Sequence, residues 1–240
     1  MSAGVSKRLA VSGLALLALL SGAAAIAAPV ARNALQPADI SGTWIADPPL
    51  DWIDPAKDEI PLTPEFAAKL RAWRQAADAG RPVADSVARC EAFGMPRIMS
   101  FGVIEILQTP GRVTLISEIL HEVRRIYLDG RKMPPDYDPS YDGYSTGHWS
   151  SDTLVVDTAG LQPGTNDQYG IPHSDQLRIS ERLRLRTPGK LEDRVTLTDP
   201  LAYTRPWTVV RTYTRAPAEL EIMEYICNTN GAAKRAESGP

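Results

Sequence analysis

Residues 173–187 read HSDQLRISERLRLRT, and the alternation in this stretch predicts a β-strand. From Leu177 to Leu185 every second residue is aliphatic except Glu181, and the residues between them are arginines and a serine. Because successive side chains of a strand point to opposite faces, the aliphatic row faces a core that also contains the Glu181 carboxylate. An unpaired buried carboxylate is unfavourable, so we expect Glu181 to be paired, protonated, hydrated or bound to a ligand.

Strand-like runs of this kind follow one another from residue 97 onward, without a second helical pattern. Turn signals such as Pro110-Gly111 separate most of them, which indicates hairpin connections. Two long connections, at 129–149 and 159–175, interrupt the series, and loops of such length are usually functional or mobile. The expected strands are SGTWIA (41–46), GVIEILQT (102–109), RVTLISEIL (112–120), EVRRIYLD (122–129), DTLVVDT (152–158), QLRISERLRLR (176–186), DRVTLTD (193–199), WTVVRTYT (207–214) and LEIMEYICN (220–228).

One helix precedes these strands. It begins at Thr63-Pro64, a typical N-terminal pair, and ends near Gly80, and its apolar stripe would pack against a sheet. The chain shows no internal repeat and no domain linker. The sequence therefore predicts one mainly β domain at 29–232, an antiparallel up-and-down β-barrel of about nine strands with one N-terminal helix, followed by a flexible tail at 233–240.

The first 28 residues have the pattern of a cleavable signal peptide. Lys7 and Arg8 precede an apolar stretch at 9–22, and Ala-Ile-Ala at 25–27 is a typical cleavage site. No later stretch approaches the roughly 20 apolar residues of a membrane-spanning helix. We therefore expect a periplasmic or secreted protein with no integral membrane segment after cleavage.

The amino-acid composition limits the kinds of molecule that the protein is expected to bind. The formal net charge is −3, and no block of lysines and arginines occurs, so we expect neither nucleic acid nor an anionic membrane as the main partner. Cys90 and Cys227 are the two cysteines, and neither has a CxxC neighbour. In an oxidising compartment such an isolated pair is expected to form a disulfide bond.

Several motifs resemble those of a known fold family. Gly42-Thr43-Trp44 is similar to the G-x-W motif of lipocalin-like (calycin) barrels, in which the tryptophan plugs the closed end. Gly147-His148-Trp149 with the following SSDTLVVDT resembles a hairpin of exported bacterial proteins with such folds. Together with HEVRRIYLDGR, HSDQLRISERLR and DPLAYTRPWTV, these motifs make residues 39–228 similar to a widespread uncharacterised family of exported bacterial proteins. The resemblance implies a lipocalin-like barrel.

His173 is the main candidate for acid–base chemistry, since histidine titrates near neutral pH. Asp175 lies two residues after it and Glu181 eight, and an acid that accepts a hydrogen bond from the imidazole raises its basicity. The alternative is a turn at the strand entry in which Asp175 caps backbone amides. We predict His173, Asp175 and Glu181 as catalytic residues.

Other charged and aromatic residues share a strand face with apolar neighbours and are predicted to bind a substrate. Such inward charges either form the polar floor of a pocket or pair with each other, for example Glu181 with Arg125. Arg205 either stacks on the Trp207 indole or lies at the barrel mouth. The predicted substrate-binding residues are His121, Arg125, Tyr203, Arg205, Trp207, Arg211 and Glu224.

The sequence contains no motif for a metal or a cofactor. The three histidines lack the spacing of metal ligands, and no phosphate-binding or dinucleotide-binding motif occurs. We therefore expect a barrel with an internal pocket that acts, without a cofactor, as a lyase, isomerase or hydrolase on a small apolar or aromatic molecule. The alternative, suggested by lipocalin-like folds, is a non-catalytic carrier of a small hydrophobic ligand.

Overall fold

The computed structural model describes residues 38–48, 59–83, 85–100, 102–165, 169–225 and 227. They belong to a unit that spans residues 35–240, and the predicted signal peptide and tail lie outside the described residues. The described residues form helix α1 (Pro64–Asp78) and strands β1 (Gly42–Asp47), β2 (Val103–Thr109), β3 (Arg112–Ser117), β4 (Val123–Tyr127), β5 (Tyr144–Ser150), β6 (Thr153–Ala159), β7 (Gly164–Thr165), β8 (Pro172–His173), β9 (Arg178–Thr187), β10 (Lys190–Thr198) and β11 (Trp207–Arg215). Three short 3₁₀ turns lie at Val87–Arg89, Arg97–Met99 and Ile119–His121.

Nine strands close into a barrel, in the order β1-β11-β10-β9-β6-β5-β4-β3-β2, with β2 returning to β1. Alternation along each strand places the aliphatic rows inside, as in β9 and β10, where every second residue is buried over most of the strand. The predicted mainly β, lipocalin-like barrel of about nine strands with one helix is confirmed. Closure leaves none of these nine strands as an open edge.

One pair of neighbouring strands departs from the antiparallel prediction. Strands β4 and β5 pair in parallel, with Ile126 opposite Ser145 and Tyr127 opposite Thr146. A parallel pair needs a long crossover, and residues 128–143 supply it. The predicted connection at 129–149 was therefore too long, since its last part is strand β5.

The expected strand at 220–228 is wrong for the described part of that segment. Residues 220–225 have no regular secondary structure, although Leu220, Ile222 and Glu224 have the two-residue spacing of an inward-facing strand row. The physical reason is the closure of the barrel: β11 already pairs with β10 and β1, so no unpaired edge is available for another strand.

Helix α1 and the β7–β8 hairpin pack together at the side of the barrel. Phe66 and Leu70 are the buried residues of the helix, and the helix contacts β8. Its start is held by the backbone bond from Thr63 N–H to Ala202 O, at 2.8 Å. No helix among the described residues has the length and apolar character needed to cross a membrane. This arrangement places one face of the helix next to His173.

Trp44 of the G-x-W motif lies in the barrel core. Its indole N–H donates to Ile40 O at 2.9 Å, and the Arg215 guanidinium lies 4.3 Å from the ring centroid. Gly42 has φ +119°, and a Cβ at this position would lie 2.5 Å from Arg215 Nη1. Glycine is therefore required at the first position of the motif, both for its backbone angle and for space.

Candidate functional site

Glu181 lies inside the barrel, as the aliphatic row predicted, and is fully buried. Its partner is Arg124 of β4: Nη1 donates to Oε1 at 2.8 Å, and Nη2 donates to Oε2. The same guanidinium donates to the hydroxyls of Thr158, at 3.0 Å, and Ser145, at 3.2 Å. These bonds offset the cost of removing both charges from water. The Glu181 carboxylate is therefore held by the barrel's own side chains.

Arg125 points outward, so the predicted pairing of Arg125 with Glu181 is wrong. Along β4, Arg124 and Ile126 are buried and Arg125 is exposed. Either register of the sequence Val-Arg-Arg-Ile-Tyr places one arginine inside next to apolar side chains, so alternation alone cannot choose between them. The buried position of Arg124 identifies it as the partner that the sequence analysis missed.

A second carboxyl group lies beside the Arg124–Glu181 pair. Asp193 of β10 is fully buried. Burial raises the pKa of Asp193 well above its ordinary value, the Glu181 carboxylate raises it further, and Arg124 lowers it. The environment of Asp193 thus favours its uncharged form beside the Arg124–Glu181 pair.

Arg211 also points into the barrel, as its place in the β11 row predicted. Its Nη2 donates to Ser100 O at 2.7 Å. Two residues later, Tyr213 Oη donates to Met99 O at 2.6 Å. Both side chains bind the backbone next to the buried turn Arg97–Met99, which holds this turn in the core.

A pocket of about 760 Å³ is lined by residues outside the nine barrel strands, whereas the sequence predicted a pocket inside the barrel. Its walls come from α1, the segment 86–95, the β7–β8 hairpin and single residues of two loops, and no residue of the nine barrel strands lines it. The lining residues are Glu65, Phe66, Lys69, Trp73, Ser86, Arg89, Phe93, Gly94, Met95, Tyr141, Gln162, Pro163, Gly164, Thr165, Gly170, Pro172, His173, Ser174, Asp175 and Leu201. We call it the helix–hairpin pocket.

The charges at the helix–hairpin pocket are paired. Lys69 contacts Glu65 at 2.8 Å, and Arg89 contacts Glu91 at 2.6 Å. Tyr141 Oη donates to the same Glu91 carboxylate at 2.5 Å. The Arg89 guanidinium and this hydroxyl lower the pKa of Glu91 to about 2. The pocket thus offers mostly apolar and aromatic walls with compensated charges at its margin, which suits an uncharged or weakly charged molecule.

His173 is buried in the wall of this pocket, with an exposed fraction of 6%. Its Nδ1 lies 3.0 Å from Ser174 O, so the Nδ1 proton is donated to this carbonyl and Nε2 carries the lone pair. A Cβ at Gly164, which also lines the pocket, would lie 3.2 Å from Nε2. Among the described residues no donor binds Nε2. Burial lowers the pKa of His173, so the ring is neutral at pH 7.

The carboxylate next to His173 is that of Asp199 rather than Asp175. Asp199 is buried and accepts from Ser174 N–H, at 2.7 Å, and from Ser174 Oγ, at 2.8 Å. Its negative charge acts on the imidazole and raises the pKa of His173, against the larger effect of burial. Asp175 is exposed at the pocket margin. The turn predicted at residues 173–175 is present, but Asp199 accepts its backbone amide.

Tyr203 and Trp207 are buried and contact each other next to the hairpin. Their rings pack edge to face with centroids 5.4 Å apart, and Tyr203 Oη donates to Pro172 O at 3.4 Å. Tyr203 thereby supports the residue that precedes His173. Arg205 is exposed, and the ring that packs on Trp207 is that of Tyr203 rather than the Arg205 guanidinium.

His121 and Glu224 lie away from the helix–hairpin pocket. His121 is exposed, and its Nε2 accepts from Tyr225 N–H at 3.0 Å. Glu224 is exposed in the irregular segment 220–225 and is therefore not part of an inward-facing strand row, as the sequence had predicted. The disulfide between Cys90 and Cys227, with Cα atoms 5.6 Å apart, confirms the predicted bond. It attaches this C-terminal segment next to Arg89.

Glu122 anchors the backbone of the pocket wall, a role that the sequence analysis missed. Its carboxyl oxygens accept from Phe93 N–H and Gly94 N–H, both at 2.7 Å. Burial and the neighbouring Asp142 raise the pKa of Glu122 to about 8. Glu122 therefore retains its proton at neutral pH beneath residues that line the pocket. No group of three or more metal-ligating side chains occurs in the described ranges.

The fold and the site define a protein with a closed, mainly β barrel and a pocket that is lined by residues outside the barrel strands. No protein-family model matches the chain. No curated protein matches it either. Among solved structures, the chain is similar to a crystal structure of a mutant of the fluorescent protein UnaG, with 21% sequence identity and a TM-score of 0.29, over 48% of this chain and 71% of that one.

Proposed function

We propose that the protein binds a small apolar or aromatic organic molecule in the helix–hairpin pocket and that His173 accepts a proton or a hydrogen bond from it. The observation that carries this proposal is a buried, neutral histidine in the pocket wall whose Nε2 binds no donor among the residues that the structure describes. The bond from Nδ1–H to Ser174 O fixes the tautomer that presents a lone pair at Nε2. A base held in this way is ready at neutral pH.

In the catalytic version of this proposal, the protein is a cofactor-free enzyme, and its reaction begins with proton abstraction from the substrate by His173. The ring would become cationic, and the Asp199 carboxylate, one residue removed through Ser174, would stabilise this charge. Such a role fits a lyase or an isomerase better than a hydrolase. A lyase or an isomerase can act with a base alone, whereas a hydrolase also needs an activated nucleophile. Glu181 is bound by Arg124 inside the barrel, so the proton acceptor in this proposal is His173 alone.

The second candidate is a non-catalytic carrier, and one observation favours it. The buried charges Arg124 and Glu181 bind each other, and the described residues place no buried acid at Nε2 to act as a proton donor. The pocket would then hold its ligand by apolar contact, with one hydrogen bond to Nε2. Export to an oxidising compartment is part of the proposal in both forms and is supported by the Cys90–Cys227 disulfide.

The first experiment is a thermal-shift screen of the protein against aromatic acids, phenols, terpenoids and lipids. Three variants show which ring nitrogen of His173 binds the ligand. His173→Asn keeps a side-chain donor for Ser174 O but removes Nε2, whereas His173→Gln retains a polar atom near Nε2. His173→Ala removes both polar atoms. We expect ligand stabilisation in the wild type and loss of at least about 1.4 kcal/mol of binding, about tenfold, in His173→Asn.

Turnover of the stabilising compounds separates the two candidate functions. An enzyme converts them, and His173→Asn loses that conversion more than it loses binding, whereas a carrier returns them unchanged. Glu181→Gln is the control for the barrel interior: it lowers stability but leaves the ligand preference in place. No ligand response in the wild type, or equal binding by His173→Asn, would overturn the assignment of this site.

A further inference from the structure

The outer faces of β9 and β10 carry six cations that fall into two groups. Towards one end of the barrel, Arg184 contacts Asp152, Arg186 contacts Glu192, and Lys190 contacts Asp47. The other three are exposed and form no ion pair with any described residue. These are Arg178, Arg182 and Arg194. The protein thus neutralises the cations of one half of this surface and leaves the other half positive.

The register of the sheet places two of the unpaired arginines side by side. Arg182 of β9 lies directly opposite Arg194 of β10. Like charges directly opposite on neighbouring strands repel each other and destabilise the sheet. The flanking residue on the other side of Arg182 is Val155, so no carboxylate is placed to relieve the repulsion in this row. An external anion would relieve it.

A groove of about 560 Å³ adjoins this positive surface. One wall is formed by residues 131–133, which include Lys132, another exposed cation that forms no ion pair with the described residues. The sheet side contributes Arg178, a single acid, Asp157, and a set of hydroxyl groups. The hydroxyls belong to Tyr144, Thr146, Ser180 and Thr198. The groove and the row of arginines form one continuous surface, which we call the arginine face.

We propose that the arginine face binds an acidic polysaccharide chain, independently of the helix–hairpin pocket, with which it shares no residue. Carboxylate or sulfate groups of the chain pair with Lys132, Arg178 and the Arg182–Arg194 row, and its hydroxyls bond to the groove. Along β9, Arg178 and Arg182 are about 13 Å apart at the rise of an extended strand, which exceeds a single anionic group and fits a chain with several.

The aromatic residues near the groove favour a saccharide over a single-stranded nucleic acid. The rings of Tyr144 and Tyr127 stack with centroids 5.2 Å apart. The rings of Tyr137 and Tyr144 pack edge to face, with centroids 5.3 Å apart. The opposite face of Tyr127 is covered by Arg131, at 4.2 Å. These rings are occupied by each other, whereas binding of unpaired bases relies on aromatic rings that are free to stack.

The test measures retention of the full chain on immobilised alginate, on dextran sulfate and on neutral dextran at pH 7, with salt elution. The variants are Arg182→Ser/Arg194→Ser and the control Arg184→Ser/Arg186→Ser, which removes the same charge from the paired half of the same sheet. Since the net charge is −3, retention of the wild type reports a local surface rather than the overall charge.

We expect the wild type to bind both acidic matrices, to pass through neutral dextran, and to elute as salt rises. The Arg182→Ser/Arg194→Ser variant loses about tenfold or more in affinity, while the control changes by less than about threefold. Passage of the wild type through both acidic matrices, or equal losses in both variants, overturns the proposal. Binding to vesicles with anionic phospholipid but to neither saccharide also overturns it and assigns the arginine face to a membrane surface.

Discussion

Replacing Asp142 with asparagine should stabilise the protein at pH 8. In the native protein the Glu122 carboxyl binds the amides of Phe93 and Gly94 and is also next to the Asp142 carboxyl. Two acids in contact cannot both ionise without repulsion, so Glu122 holds its proton to a higher pH than an isolated glutamic acid does. An asparagine at 142 would instead donate a side-chain N–H to Glu122, which could then remain a carboxylate and accept both backbone bonds.

The size of the effect follows from the pKa of Glu122. It is about 8 in the folded protein against an ordinary value of 4.5. Between these values the folded state binds a proton that the unfolded chain has released, so stability falls as the pH rises. At about 1.4 kcal/mol per pKa unit, this group lowers stability by about 5 kcal/mol at pH 8. Burial is the largest cause and Asp142 the next, so Asp142→Asn should restore about 1–3 kcal/mol.

The assay is urea unfolding of the wild type and Asp142→Asn at pH 5, 6.5 and 8. Asp138→Asn is the matched control, because Asp138 is an exposed acid of the same loop and its loss changes the net charge equally. The difference in unfolding free energy between Asp142→Asn and the wild type should grow with pH, whereas that of the control should not. If the change in unfolding free energy caused by Asp142→Asn is independent of pH, or equals that of the control, the reasoning about the Glu122 proton is refuted.

Two further predictions concern stability. Glu181→Gln and Arg124→Met should each lower the unfolding free energy by about 3–5 kcal/mol because each leaves one charge buried without its partner, whereas Asp193→Asn, which replaces an acid whose charged form burial disfavours, should cost less than about 1 kcal/mol. Denaturant unfolding checks this, and equal losses at all three positions would contradict this difference between the three buried groups. Replacing Cys90 and Cys227 with serine should cost about 3–5 kcal/mol, since the disulfide closes a loop across 137 residues; an unchanged melting temperature would contradict it.

The barrel could be predicted because its strands alternate strongly. Four alternate residues of β9, from Ile179 to Leu185, face inward, so a one-residue slip would bury arginines, and Glu181 was placed correctly. The five-residue strand β4 is too short for such redundancy, and the choice between Arg124 and Arg125 failed there. The segment 220–225 also has a strand-like row, but strand formation requires a free edge as well, which local sequence does not reveal.

The pocket could be predicted only in part, because its walls come together from distant parts of the chain. His173 was named from its position at a loop-to-strand junction, and it does line the pocket. Asp199, its neighbouring carboxylate, follows β10 and is brought to Ser174 by the hairpin of β9 and β10. Glu122 and Asp142 are brought together by the crossover between β4 and β5. The sequence of this crossover has no hydrophobic periodicity from which the contact could be predicted.

The position of β1 in the barrel has a consequence for the order of folding. This strand pairs with β2 on one side and with β11 on the other, where Trp44 lies opposite Arg215. During synthesis on the ribosome, the first strand must therefore wait for nearly the whole chain before its second neighbour exists. Contacts between such distant segments slow folding, because a long loop must close before they form. The barrel is therefore expected to close late, and its N-terminal strand depends on the last strand for half of its backbone pairing.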